Sequence, residues 1–205
     1  MMSRMFRSFP VRFPTLLLAS VILYGQERAA VPIEQEPQHK VVFKNDFVRI
    51  IDATLPPGYV TLNHTHAADH VSVTISTEPS GQGARGFGRA GFTRGGYSHS
   101  VTNSGQGIMR FIVVEPLKSD HPNTTPADLP KHTLETENDR VRIYRVKLAA
   151  GESLAPHTHN AGWVEVTVAG GAGMGAFRWN AVGEAHPLKL TASETPLEFV
   201  EIEPK

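Results

Sequence analysis

The segment Gly58-Tyr59-Val60-Thr61-Leu62-Asn63-His64-Thr65-His66-Ala67-Ala68-Asp69-His70 sets two histidines one residue apart and a third four residues on. In a β-strand successive side chains alternate faces, so His64 and His66 point the same way, about 6–7 Å apart. Two imidazoles on one face grip one divalent metal, and a third joins after a short turn. A lone His-x-His is weak evidence, because histidines fall at this spacing by chance. Here the pattern recurs: Gly151, His157 and His159 repeat Gly58, His64 and His66 at an offset of 93.

Working outward, the repeat extends in both directions. Asn45-Asp46-Phe47-Val48-Arg49-Ile50 corresponds to Asn138-Asp139-Arg140-Val141-Arg142-Ile143 at the same offset. The offset then shrinks, so that His99 pairs with His186, Phe111 with Phe199, and Glu115-Pro116 with Glu203-Pro204. One duplicated unit of roughly 75–80 residues explains this correspondence.

The repeats are built from strand signals. Val48 to Leu55 is strand-like and ends at the turn Pro56-Pro57-Gly58. His70 to Ile75 alternates polar with β-branched residues, and Ile108 to Glu115 is apolar up to Pro116. A glycine-rich stretch from Gly81 to Gly96 interrupts them, and no long segment has helical periodicity. The expectation is an all-β chain in two domains, 38–116 and 133–205, with a proline-rich linker at 117–132. Residues 31–40, with Pro32 and Pro37, read as a flexible lead-in.

Arg4, Arg7 and Arg12 precede the apolar run Thr15 to Tyr24, which marks residues 1–30 as a secretory signal peptide and the mature chain as periplasmic or secreted. That run is short of the ~20 apolar residues of a stable membrane span. Cysteine is absent among the 205 residues, so any metal must be held by His, Asp or Glu. The 20 basic and 20 acidic residues cancel, unlike the basic footprint of a nucleic-acid binder.

These motifs resemble the cupins. The first cupin motif is a glycine, five residues, His-x-His, three or four residues, then Glu. Gly58, His64 and His66 match it with His70 in the Glu position, and Gly151, His157 and His159 match it with Trp163 there. The glycine that follows is Gly170 in the second copy but Thr77 in the first. The second motif is met by Gly88, Gly96, His99 and Asn103, and in the second copy by Gly175, Gly183 and His186. Arg94 and Ala181 replace its proline, and Leu190 replaces the second copy's asparagine. The resemblance implies a bicupin, two tandem double-stranded β-helix (jelly-roll) barrels.

It further implies that His64, His66, His70 and His99 meet around one metal in the first barrel, the principal site. Neutral imidazoles leave the ion's charge uncompensated, which favours anionic ligands. Nitrogen donors suit Fe, Zn, Ni, Cu or Mn rather than Mg²⁺ or Ca²⁺. The second barrel then offers His157, His159 and His186, and an indole at Trp163 cannot ligate. Two alternatives stand there: a three-histidine site with an aromatic wall, or a decayed site filled by Trp163. Glu165, two residues on, points the same way as a further ligand or base. The expectation is nearer one metal than two per chain.

For function the leading expectation is a metal-dependent oxygenase of dioxygenase type acting on a small, oxygen-bearing, anionic substrate. The alternatives are a non-redox isomerase, cyclase or lyase, and a non-catalytic binding module. The sequence leaves room for a homo-oligomer. Gly86-Phe87-Gly88-Arg89-Ala90-Gly91 lacks the strand–helix context of a dinucleotide site. Arg85, Arg89 and Arg94 read as anion-attracting or simply solvated, and Phe87, Phe92, Phe177 and Trp179 as packing within the barrels.

Overall fold

The computed structural model describes residues 29–76, 86–121, 125–126, 128–171, 173–184, 190–191 and 195–205. Residues 1–28 of the export segment, Thr77, Gly81, Arg85 and His186 lie outside these residues, and so does the expectation attached to each.

The first half runs β1 (Val31–Pro32), β2 (His39–Lys44), β3 (Val48–Leu55), β4 (His64–His66), β5 (His70–Thr74), β6 (Ala90–Thr93), β7 (Tyr97–His99) and β8 (Met109–Pro116). The second runs β9 (His132–Glu137), β10 (Val141–Leu148), β11 (Ser153–Leu154), β12 (Trp163–Ala169), β13 (Phe177–Asn180), β14 (Leu190–Thr191) and β15 (Leu197–Pro204). The one helical element among the described residues is a 3₁₀ turn at Ile33–Gln35. Each half has a five-stranded sheet, ordered β2-β3-β8-β5-β6 and β13-β12-β15-β10-β9, with a smaller sheet beside it, β1-β4-β7 or β11-β14. The repeat is visible in the turns. Asn45 Oδ1 accepts from the amides of Phe47 and Val48, both at 2.8 Å. Asn138 Oδ1 does the same for Arg140 and Val141 at 2.7 and 3.0 Å. This side-chain mimicry of a backbone turn is the reason an asparagine suits that position in both copies.

The two faces of each large sheet have separate tasks, because side chains alternate along a strand. One face of each joins a single core of fourteen fully buried residues, seven from each half. Val48, Ile50, Val71, Val73, Ile75, Ile112 and Val114 meet Val141, Ile143, Val164, Val166, Val168, Val200 and Ile202. Burying a Val or Ile side chain contributes about 1.5–3 kcal/mol, so this joint is a major source of stability. Phe47 stacks on Trp179 at 5.5 Å, and Phe43 meets Phe177 edge-on at 6.3 Å, both across the joint. Gly88 has φ +72°, and a Cβ there would lie 2.8 Å from Val168 Cγ1, so only glycine lets the halves approach here. The opposite faces line the two barrel interiors.

Four sequence expectations are corrected. Phe92, Phe177 and Trp179 pack between the halves, not within the barrels, and Phe87 is 45% exposed. The lead-in at 31–40 is structured, so the first barrel starts before residue 38. Val31 donates to the Asn63 carbonyl at 2.9 Å, β1 runs parallel to β4, and Ile33 is buried with Ile51 and Val113. Pro32 fits because β1 is an edge strand, where a missing amide costs nothing. The glycine-rich stretch contains β6, paired with β5. His132, assigned to the linker, begins β9.

Candidate metal centres

In the first half the short β4–β7 pairing does most of the positioning. Its register sets His64 opposite His99 and His66 opposite Tyr97. His39 arrives from β2 and His70 from β5. The His64 ring lies 4.6 Å from His39, 5.2 Å from His66 and 4.7 Å from His99, centroid to centroid. His39, His64 and His66 each offer a ring nitrogen within 4.8 Å of the others. His99 faces this trio, 5.1 Å from His66. His70 stacks on His66 at 4.4 Å, and its Nε2 lies 3.3 Å from the Tyr97 hydroxyl, so it lines the cavity beside the trio and is not part of it. A cavity of about 260 Å³ opens beside them, lined by His39, His66, His70, Tyr97, His99 and Phe111.

The donor chemistry fits a transition metal. The His64 Nδ1 sits 2.9 Å from the Leu62 carbonyl, which assigns the proton to Nδ1 and leaves Nε2 as a lone-pair donor. That Nε2, with His39 Nδ1, His66 Nδ1 and His99 Nε2, is buried without a hydrogen-bond partner among the described residues. Buried polar atoms are almost always satisfied, so four orphaned ring nitrogens in one cluster point to an ion. Burial, then the neighbouring imidazoles, lower His39 and His99 to about 4 and His66 to about 2, keeping all three neutral at pH 7. Neutral imidazole is the ligating form.

Glu36 sets this geometry from below. The Tyr59 hydroxyl and the Gln38 amide donate to its Oε1, at 2.9 and 3.1 Å, and the Leu62 amide to its Oε2 at 2.7 Å. One buried carboxylate thereby fixes the backbone beside His39 and the loop whose carbonyl orients His64. Asn103 is structural as well, bridging Leu55, Gly105 and Gly107. Arg94 pairs with Asp69 and Asp139 on the surface, not with the cavity.

The second half, for which a three-histidine site and a decayed one were both open, brings four potential ligands together. His132, His157, His159 and Glu201 each offer a ligand atom within 4.8 Å of the others. His157 and His159 were expected there; His132 and Glu201 were not. Trp163 does not fill the position idly: it stacks on His159 at 4.0 Å, fully buried. Glu165 is drawn toward Arg178, 4.0 Å away, and stands beside Glu201 in the β12–β15 register without joining the four-atom group. Burial alone lowers the His159 pKa, but its contacts with Glu201 and Glu203 outweigh that and raise it to about 9.

His39 and His132 were missed although they stand 93 positions apart, the offset of the repeat itself. Glu201 had a fainter signal. It corresponds to Val113 at the offset of 88 that relates Glu115 to Glu203.

The jelly-roll barrel is present in duplicate, with His64 and His66 on strand β4 of the first and His157 and His159 on the segment between β11 and β12 of the second. Similar folds bear this out: AerE from Microcystis aeruginosa shares 14% identity, covers 83% of this chain and 98% of its own, and gives a TM-score of 0.50. The oxalate decarboxylase of Lactobacillus farciminis, in a formate complex, shares 12%, covers 78% of each chain and also gives 0.50. A cupin 2 conserved barrel domain protein from Leptotrichia buccalis shares 10%, covers 82% and 88%, and gives 0.41. No family model and no curated protein sequence matches the chain. The likeness to AerE and to the oxalate decarboxylase shows the fold alone, a jelly-roll barrel present twice. No helix among the described residues is long and apolar enough to cross a membrane.

Proposed function

We propose that this chain is an exported, metal-dependent enzyme whose first barrel acts on a small, oxygen-bearing organic anion, with oxygenase chemistry as the leading reading. The observation that carries it is the histidine cluster whose orphaned ring nitrogens adjoin the 260 Å³ cavity. That volume lies below the roughly 300–1,000 Å³ of pockets for drug-sized ligands, which limits the substrate to a small molecule. His39, His64, His66 and His99 would hold the ion, with His70 at its edge. When bound there, Fe, Cu, Ni or Mn supplies redox and oxygen chemistry, whereas Zn supplies Lewis acidity. An all-imidazole set contributes no negative charge, which favours an anionic substrate beside it. Phe111 and Val113 give the cavity an apolar side against which the body of such a substrate can pack.

One observation favours a second, non-redox reading. The Tyr97 hydroxyl and His70 Nε2 form a proton-carrying pair on the cavity wall, 3.3 Å apart, suited to isomerase or lyase chemistry. Native metal content separates the two. Protein purified from its host without added metal should contain Fe, Cu, Ni or Mn and consume oxygen with small carboxylates or phenols. Zinc alone with no oxygen uptake overturns the oxygenase reading. Export is tested by N-terminal sequencing, which should show loss of ~25–30 residues; an intact Met1 in a cytoplasmic fraction overturns it.

A further inference from the structure

We infer that the second half holds its own divalent transition-metal centre, built from His132, His157, His159 and Glu201, with one ligand relocated from strand β12 to strand β15. The motif position on β12 carries Trp163, which has no lone pair to give. The carboxylate comes instead from β15, where Glu201 takes the place that Val113 holds on the cavity wall of the first half. This inference does not depend on the first barrel's reaction or on its metal.

Three features of the second cluster are compatible with a shared ion. First, the distances suit a common ion. Glu201 Oε2 lies 2.9 Å from both His132 Nε2 and His159 Nε2. Ligand atoms about 2.0–2.2 Å from one ion sit roughly 2.9–3.5 Å from each other. Second, every histidine has its Nδ1 held from behind. His132 Nδ1 is 2.8 Å from the Pro130 carbonyl, and His157 Nδ1 is 3.0 Å from the Ala155 carbonyl. His159 Nδ1 is 2.7 Å from Glu203 Oε1, the carboxylate–histidine arrangement that orients metal ligands. All three Nε2 atoms are thus turned toward the Glu201 side. Third, Lys131, between Pro130 and His132, has φ +64°, a left-handed conformation costly for a residue with a Cβ. That turn folds the Pro130 carbonyl under the His132 ring.

The two centres then differ in charge. The first contributes imidazoles alone, while the second adds one carboxylate directly and a second through His159. The second therefore binds its ion more tightly and is less inclined to recruit an anion, which suits a structural or strongly held metal.

The test is titration of the chelator-stripped full chain with Co²⁺, followed by visible absorption and calorimetry. The wild type is expected to bind two equivalents. Glu201→Gln and His132→Ala should each leave one, which His64→Ala removes in combination. Glu203→Gln should keep both but weaken the second roughly 10–100-fold, as losses of outer-shell partners do. Circular dichroism checks each variant's fold; should Glu201→Gln not fold, His157→Ala, at a partly exposed imidazole, carries the same test. A single equivalent that Glu201→Gln abolishes sustains the second centre and overturns the first. Unchanged stoichiometry in Glu201→Gln and His132→Ala, or a single wild-type equivalent lost only on His64→Ala, overturns the inference and leaves a buried His–Glu cluster.

Discussion

Replacing Asn103 by alanine should destabilise the chain by about 3–4 kcal/mol without touching its metal. Asn103 is fully buried, and its amide donates to the Leu55 carbonyl at 2.8 Å and the Gly107 carbonyl at 2.9 Å. Its Oδ1 accepts from the Gly105 amide at 3.0 Å. The Leu55 carbonyl sits where water cannot reach, so losing its donor incurs the full desolvation cost, about 2 kcal/mol. The other two bonds are partly exposed and worth roughly 0.5–1 kcal/mol each once water replaces them. In a chain of this size each kcal/mol moves Tm by about 2–4 °C, so a drop of roughly 6–16 °C follows. Urea unfolding should show a lower midpoint at unchanged slope. Asn103→Asp should be no better than alanine, since a carboxylate then faces two carbonyls. Among the described residues the Asn103 side chain bonds only to backbone groups, so Co²⁺ stoichiometry should equal wild type. A loss below 1 kcal/mol, or an aspartate variant more stable than the alanine one, refutes this account.

The shared core makes the halves one cooperative unit, so thermal unfolding monitored by tryptophan fluorescence and far-UV dichroism should coincide in a single transition. Residues 31–116 expressed alone, with the seven Val and Ile side chains of their joint face bare, should aggregate; a stable soluble monomer would contradict the packing. In chelator-stripped protein, His39, His66 and His99 have folded pKa values below the ordinary 6.5, so the unfolded state binds more protons as pH falls. Stability is therefore lost from pH 6.5 downward, at about 1.4 kcal/mol per pH unit for a buried imidazole such as His39. His159 has the opposite sign: its contribution is complete below pH 6.5 and is lost as pH rises through about 9. Urea midpoints from pH 4.5 to 9.5 should fall on both sides of neutrality, and a flat profile contradicts both assignments. Finally, His39→Ala should weaken Co²⁺ binding in the first half by more than the roughly 10–100-fold of an outer-shell loss. Wild-type affinity in that variant would make His39 a bystander.

Much of this molecule is written in local pattern. The His-x-His pair, the duplicated Asn-Asp turns and the alternation along β5 follow from strand period and turn chemistry, which act over a few residues. They were enough for an all-β duplicated barrel and for the convergence of His64 with His66 and of His157 with His159. Long-range register was not legible. His39 and His132 stand in segments whose prolines suggested loose chain, and only the pairing of β2 with β3 and β9 with β10 turns them inward. Glu201 lies in a strand where an isolated glutamate ordinarily faces water; the β15 register beside β10 and β12 turns it toward the histidines instead. The placement of Phe92, Phe177 and Trp179 was misjudged for a related reason. Period-2 alternation says that a side chain has a buried face but not which partner buries it. Sequence alone determined the duplicated strands and the two His-x-His pairs, because both depend on neighbours along the chain. Only the tertiary structure decided which distant side chains complete each centre, because sheet register and the packing of one sheet on another bring them together.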